Sequence, residues 1–333
     1  MQHELSEANL AALNRINQGS TPIPTPTMDS VLVIGAGELG LCVLEALAAH
    51  PKRQHVKISV LMRQATLDSA APAKRRTVQK IKSLNVHFES ADVVLASVEE
   101  LAQIFSSYHT VVSCSGMELP SGTQTKLSEA VLRGKVKRYF PWQYGMRYDV
   151  IGQGSSQDLF DEQLLVRKML REQSGTEWVI VSTGLFMSFL FVADFGVVDL
   201  DNKVVRGLGS WDNRITLTTP LDIGRVVAEV VLDPRGIRDD VVLTAGDTIS
   251  YGQLADLLDE HFGDGFTREL WDLETLKAQM AEDPNVMVKY RDTFAQGRGV
   301  AWDKEGTINA ERGMDMVDLR AYLASSHARG RAS

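Results

Sequence analysis

Residues 31–47 read VLVIGAGELGLCVLEAL, an apolar β-branched run joined to a helical apolar pattern by Gly35, Gly37 and Gly40 in GxGxxG spacing. A strand that turns directly into a helix through three glycines leaves few folds open. Gly35 permits the tight turn, Gly37 lets a pyrophosphate come close to the backbone, and Gly40 lets helix and strand pack closely. Glu38 and Leu39 open the helix, whose free amides and positive dipole end attract phosphate. The Glu38 side chain is expected to point away from the phosphates.

The same alternation continues down the chain. Val31–Ile34, Ile58–Met62, Val111–Cys114, Arg138–Phe140 and Trp178–Ser182 read as strands, and Leu39–Ala49, Thr123–Leu132 and Leu159–Arg171 have helical spacing. The expected fold class is therefore α/β, a doubly wound parallel sheet with its ligand at the carboxyl ends of the strands. Three segments flank this pattern. Residues 4–17 have helical spacing, and 18–29 carry three prolines, so 1–29 read as a short helix and a Pro/Thr-rich tether. Residues 178–200 are long and apolar, but Asp194, Asp199 and Gly184 divide them into strand and buried loop rather than a membrane span.

The loop after the second strand selects the cofactor. That strand ends in Met62-Arg63 where an Asp or Glu would accept hydrogen bonds from a ribose diol. Arg63 instead suits a 2′-phosphate in a charge-assisted fork, which points to NADP(H). Lys74, Arg75 and Arg76 follow, with Lys74 a candidate for the adenosine end, although a solvated face is the commoner meaning of such a triplet. The net charge is −8, from 35 Lys+Arg against 43 Asp+Glu, so a nucleic-acid partner is not expected. Two cysteines, Cys42 and Cys114, make no disulfide framework, and the expected compartment is the reducing cytoplasm. The histidines show no paired metal-ligand spacing, and a GxSxG nucleophile elbow is absent.

After the fourth strand VVSCSG places Ser115 and Gly116 near the cofactor, and Gln124 opens the next helix. Together GAGELG, Arg63, VVSCSG, and VKRYFPWQYG followed by LFDEQLLVRKMLR resemble the NmrA-like, isoflavone-reductase-like group of atypical short-chain dehydrogenases. The resemblance covers about residues 30–330 and includes Asp222–Arg225, similar to the family's Asp-Asp-Ile-Gly stretch. It implies a Rossmann domain with a smaller C-terminal α/β substrate lobe. It also implies that the chain is either an NADPH-dependent reductase or a nucleotide-sensing regulator; many fungal relatives serve secondary metabolism.

Departures from the family bear on the chemistry. The reductases' Pro-Ser-Glu-Phe-Gly is here Pro141-Trp142-Gln143-Tyr144-Gly145, and alignment of the following helix puts Gln163 at the catalytic lysine position. None of the seven tyrosines has a lysine four residues on. Gln163 can donate a hydrogen bond but no proton at neutral pH, so Tyr144 and Tyr148 are the nearest candidate acids, with Asp161 a minor candidate base. An iminium substrate would need no acid, and the faces of Trp142, Tyr144 and Phe186 would each stabilise a cation by ~0.5–2 kcal/mol when desolvated. Pro141 is expected beside the cofactor, and Trp142, Gln143, Phe186 and Met187 beside the substrate; each of the aromatics reads equally as core packing.

The expected organisation is a nucleotide-binding domain over 30–185 and a substrate lobe over 186–333, with residues 240–246 returning to the sheet as a strand. Ser210–Asp212 and Thr216–Thr219 read as a hairpin or extended region, Asp222–Leu232 as a helix, and Ser250 and Gln253 as the start of another helix through Phe262. Three functions follow. The first is an NADPH-dependent reductase of a bulky aromatic or heterocyclic carbonyl or imine of natural-product metabolism. The second is an iminium-based cyclase or isomerase holding NADP(H), and the third a catalytically silent NADP(H) sensor. A small-molecule substrate and a monomeric or homodimeric state are expected, without a membrane.

Overall fold

A computed structural model describes residues 30–263 and 265–325; the helix and tether expected over 1–29 lie outside the described residues. The sheet half of the fold contains β1 (Ser30–Ile34), α1 (Glu38–Ala49), β2 (Lys57–Met62), α2 (Gln64–Leu67), α3 (Pro72–Ser83), β3 (His87–Ser90), α4 (Val98–Phe105) and β4 (Thr110–Ser113). It continues with α5 (Thr123–Arg133), β5 (Arg138–Phe140), α6 (Tyr148–Ile151), α7 (Asp158–Arg171) and β6 (Glu177–Ser182). The chain then runs through β7 (Leu185–Phe186), a 3-10 turn at Met187–Phe191, β8 (Val198–Asp199), β9 (Val204–Leu208), β10 (Arg214–Thr218), α8 (Pro220–Leu232), β11 (Asp240–Leu243) and β12 (Asp247–Ser250). It ends with α9 (Tyr251–Phe262), β13 (Thr267–Trp271), α10 (Leu273–Glu282), α11 (Val286–Ala295), α12 (Ile308–Glu311) and α13 (Leu319–Ala324).

Seven strands form one sheet in the order β11-β6-β5-β4-β1-β2-β3. Every neighbouring pair is parallel. The continuous apolar runs of the sequence follow from this, because helices cover both faces and bury the central strands completely. Leu32, Ile34, Leu127, Tyr139, Val166 and Ile180 fill one face, under α4, α5 and α7. Val33, Val43, Leu44, Val60, Val181 and Val227 fill the other, under α1, α3 and α8. This is the doubly wound Rossmann arrangement.

Strand order reverses between β1 and β4, where Ile34 is level with Ser113. The connections leaving the two strands diverge there and open a crevice above the sheet edge. The Gly35 amide donates to the Leu61 carbonyl at 3.0 Å and the Cys114 amide to the Ile34 carbonyl at 2.9 Å, so the three loops start level.

Beyond residue 186 several segments return to the sheet. β11 pairs with β6, and α8 lies so close to α1 that a Cβ on Gly224 would overlap the Cys42 backbone. Ile308, Met314 and Met316 pack in the same core. The rest forms a second core around Leu185, Val205, Leu217, Leu254, Phe294 and Leu323. α9 starts at an Ser250–Gln253 capping box, as the sequence predicts. Of the hairpin or extended region expected over Ser210–Asp212 and Thr216–Thr219, no hairpin forms, and Arg214–Thr218 is extended as β10. β9 pairs with β8 and β13, whereas β10 pairs with β7 and β12. Gly209, at φ +75°, takes the chain from one small sheet to the other, and the Asn213 amide secures that turn to the carbonyls of Leu208 and Ala295. Among the described residues no helix is long and apolar enough to cross a membrane.

Candidate active site

A cavity of about 1020 Å³ runs along the carboxyl edge of the sheet. One arm begins at the glycine turn. Gly35 has φ +90°, and a Cβ on it would collide with the Ser115 hydroxyl; a Cβ on Gly40 would collide with the Gly35 carbonyl. Both positions therefore demand glycine. Gly37 is the N-cap of α1 with no side chain capping the helix and open space where a Cβ would be. The orphan amides of the first turn thus remain available to an anion.

The arm continues to Arg63, Thr66 and Lys74 and joins a second cavity of about 470 Å³, which the same three residues share with Gln64, Ser90 and Asp92. Arg63 and Lys74 are exposed, and neither side chain hydrogen-bonds or forms an ion pair with another described residue. Asp92 turns its carboxylate to the amides of Val94 and Leu95, at 2.9 and 3.3 Å. Two free cations beside a carboxylate satisfied by its own loop suit a phosphate. Arg75 and Arg76 do not line either cavity.

The other arm is aromatic. Trp142, Tyr144, Tyr148, Phe160, Phe186 and Tyr290 line it, with Phe189 beside them. The Trp142 ring lies flat over Gly116, where a Cβ would fall inside the indole. Phe160 stands 4.7 Å from Tyr148 and 5.7 Å from Tyr290, centroid to centroid. Ion pairs of Lys289 with Asp158 and a hydrogen bond from Ser156 to Asp292 hold α11, and with it Tyr290, against the start of α7. Tyr144 is 8% exposed, and among the described residues its hydroxyl has no oxygen or nitrogen partner. The Cys114 thiol is the polar group beside it. Burial first, then Cys114, pushes the Tyr144 phenol well above its ordinary value. Burial also raises the Cys114 thiol to about 12.

The structure corrects several sequence-predicted positions. Gln163 does not line the cavity: it shares the buried stripe of α7 with Val166, Arg167 and Leu170, 1% exposed, and its side-chain amide has no partner. Gln143 also points inward. It donates to the Gln163 carbonyl at 2.9 Å and accepts from Arg167 Nε at 2.7 Å, bolting the loop after β5 to α7. Met187 is fully buried in the core of the second lobe, and Pro141 is buried at the end of β5. Gln124 stays behind the cavity wall, where its amide donates to the Ser115 carbonyl at 3.0 Å and holds that turn in place. Asp161 accepts from the Gly154 amide rather than facing the cavity. Its neighbour Glu162 caps α5 through the amides of Gln124 and Thr125. Glu38, Leu39, Ser115 and Gly116 lie on the wall, whereas Gly40 packs behind the turn.

Phe160 and Tyr290 are site residues that sequence reasoning missed. Each sits in a helix whose apolar spacing signals core, and nothing in either segment marks the side chain that reaches the cavity.

The glycine turn, the cation pair and the aromatic arm lie along one cavity at the switch point of the sheet, and the NmrA-like family model matches residues 27–323. The chain belongs to the NmrA-like family. An NmrA-like family domain-containing oxidoreductase of Gibberella moniliformis is 58% identical over 296 residues, which is 89% of this chain and 97% of that protein. Among solved structures of similar fold, the binary complex of leucoanthocyanidin reductase with NADPH from Vitis vinifera superposes with a TM-score of 0.74. That match has 18% identity over 90% of this chain and 99% of the other. Isoflavone reductase matches with a TM-score of 0.72 and 18% identity, over 89% and 99% of the two chains. In this NmrA-like chain the Gln163 side chain faces the core and offers nothing to the cavity wall.

Proposed function

We propose that this NmrA-like protein is an NADPH-dependent reductase of a bulky aromatic or heterocyclic carbonyl compound, of the kind found in natural-product metabolism. The observation that carries this reading is Tyr144, a buried phenol on the cavity wall whose hydroxyl, among the described residues, has no partner stronger than the Cys114 thiol beside it. A buried polar group left unpaired costs stability unless a ligand completes it. The 58% identity to an NmrA-like oxidoreductase and the fold shared with an NADPH-bound reductase support the same reading.

NADPH, when bound, supplies the hydride. The amides at the start of α1 would hold its pyrophosphate, and Arg63 with Lys74 would hold the 2′-phosphate. Trp142, Phe186 and Phe160 exclude water and orient a planar substrate. As a carbonyl is reduced, the Tyr144 hydroxyl would give its proton to the carbonyl oxygen. Its raised pKa keeps Tyr144 protonated across neutral pH, and an alkoxide is basic enough to take that proton. Gln163 has no part in the transfer.

The test is NADPH consumption with product mass, using 1-tetralone and related aryl ketones beside cyclic imines. Ketone reduction that Tyr144→Phe suppresses is the expected result. Tight NADPH binding without oxidation by any substrate would instead mark a sensor, and a rearranged product without NADPH loss a redox-neutral catalyst.

A further inference from the structure

Behind the aromatic wall lies a buried charge that the proposed transfer does not use. Arg167 is 1% exposed and its guanidinium carbon stands 5.1 Å from the centroid of the Tyr148 ring, on a phenol that lines the cavity. Its Nε donates to Gln143 at 2.7 Å and its Nη1 to Asp149 at 2.6 Å, while Nη2 has no partner. Asp149 is shared: Arg171 also donates to both of its oxygens, at 2.9 and 2.8 Å. Two guanidinium groups against one carboxylate leave this cluster with a net positive charge. Arg167 is thus the charge on Tyr148, tied through Asp149 of α6 to Arg171; α11 brings the neutral phenol Tyr290, while its Lys289 pairs with Asp158 and its Asp292 accepts from Ser156.

The Tyr148 hydroxyl lies against Gly145, where any Cβ would displace it, next to the Met146 amide. It thus packs against the loop that carries Tyr144. The acidic side chains on the cavity wall are Glu38, Asp92 and Glu118, which follow β1, β3 and β4; none lies on the aromatic arm.

We infer that Arg167, acting through Tyr148, makes the aromatic arm a site for an uncharged carbonyl whose oxygen turns anionic, and one that disfavours a cationic iminium. This rests on the reductase reading and gives the physical reason for a carbonyl over the imine that the sequence also allows. A positive charge held behind a phenol strengthens that phenol as a hydrogen-bond donor to a developing oxyanion. The same charge opposes a cation in the low-dielectric arm, so the ring faces there serve for stacking rather than for binding a cation. Arg167 touches no substrate atom; it is a positioning and polarising residue. Its effect on Tyr148 is visible as a pull opposite to that of burial, which raises the phenol to about 12.

The test uses 2-naphthol, an oxyanion mimic, bound to the full chain with NADP+, with the naphtholate absorbance band followed against pH. Naphthol bound to the wild type is expected to ionise at least about one pKa unit below free naphthol, a tenfold change in its ionisation constant. Arg167→Gln should remove the shift, Arg167→Lys should recover part of it, and Asp149→Asn, which removes the carboxylate shared by Arg167 and Arg171, should enlarge it. A merely structural role would not move the two variants in opposite directions. Should Arg167→Gln fail to fold, Asp149→Asn alone remains decisive. Ionisation of bound naphthol at or above the free value, a shift unchanged or reduced in Asp149→Asn, or no binding to a complex that holds NADP+ would overturn the inference. A downward shift in a protein that never oxidises NADPH with 1-tetralone would leave the inference standing and refute the reductase reading instead.

Discussion

Tyr144→Phe should make the protein more stable and less active at once. The phenol is 8% exposed, and its hydroxyl is unpaired in the free protein. Deleting that oxygen leaves only the weakly polar Cys114 thiol without its neighbour and removes a desolvation cost of about 1–3 kcal/mol. The ring keeps its packing, so a net gain of about 1 kcal/mol is expected, or roughly 2 °C in Tm for a chain of this size. Catalysis moves the other way. Loss of a preorganised donor at a developing oxyanion costs about 10²–10³ in kcat, or about 3–4 kcal/mol of transition-state stabilisation. Initial rates of NADPH oxidation with 1-tetralone, beside thermal melts of the two purified proteins, measure both effects. KM for NADPH should stay the same, because the nucleotide arm is untouched. A variant within threefold of wild-type kcat would refute the assignment of Tyr144, and a variant destabilised by more than about 1 kcal/mol would refute the claim that its hydroxyl is unpaired.

Three further perturbations probe the rest of the site. Arg63→Ala should weaken NADPH about 10–100-fold and leave NADH and Tm unchanged, since a charge-assisted contact is worth about 1.5–3 kcal/mol and the exposed Arg63 side chain has no partner among the described residues; titration calorimetry with both nucleotides decides it. Gly35→Ala should abolish binding of either nucleotide, because φ is +90° there and the new methyl would collide with Ser115; retained affinity would contradict the turn geometry. Asp149, held near 2 chiefly by its hydrogen bonds to Arg171, contributes stability that is present above its ordinary 3.8 and is lost as pH falls through 2. Melts of Asp149→Asn should therefore lack the part of the acid loss that wild type shows across that window.

The sheet was legible because its signals are local. Central strands buried on both faces read as β-branched runs, and the turn at Gly35 declares itself through glycines that no other residue can replace. Arg63 could be found for a similar reason: its backbone position at the end of β2 alone brings the side chain to the cavity. Gln163 shows where this kind of reasoning stops. Alignment fixes its place on α7, but the direction of the side chain is set by the stripe it shares with Val166, Arg167 and Leu170, which faces the sheet. Gln143 turned inward because a buried Arg167 needed its carbonyl oxygen, a pairing across 24 residues that neither segment announces. Tyr290 arrives from α11, far along the chain, and is positioned by the Lys289–Asp158 and Ser156–Asp292 contacts. The paths of β9 and β10 were likewise hidden, since the choice of sheet depends on how Gly209 and Asn213 meet Ala295.

The central claim is that hydride passes from NADPH to a carbonyl carbon while this chain supplies the proton. The direct measurement is turnover of 1-tetralone with NADPH deuterated at nicotinamide C4, with the product read by mass spectrometry and NMR. One deuterium at the carbinol carbon, accompanied by stoichiometric NADP+, is the predicted result. Product formed without deuterium, or NADPH bound and never consumed across the ketone panel, would contradict it.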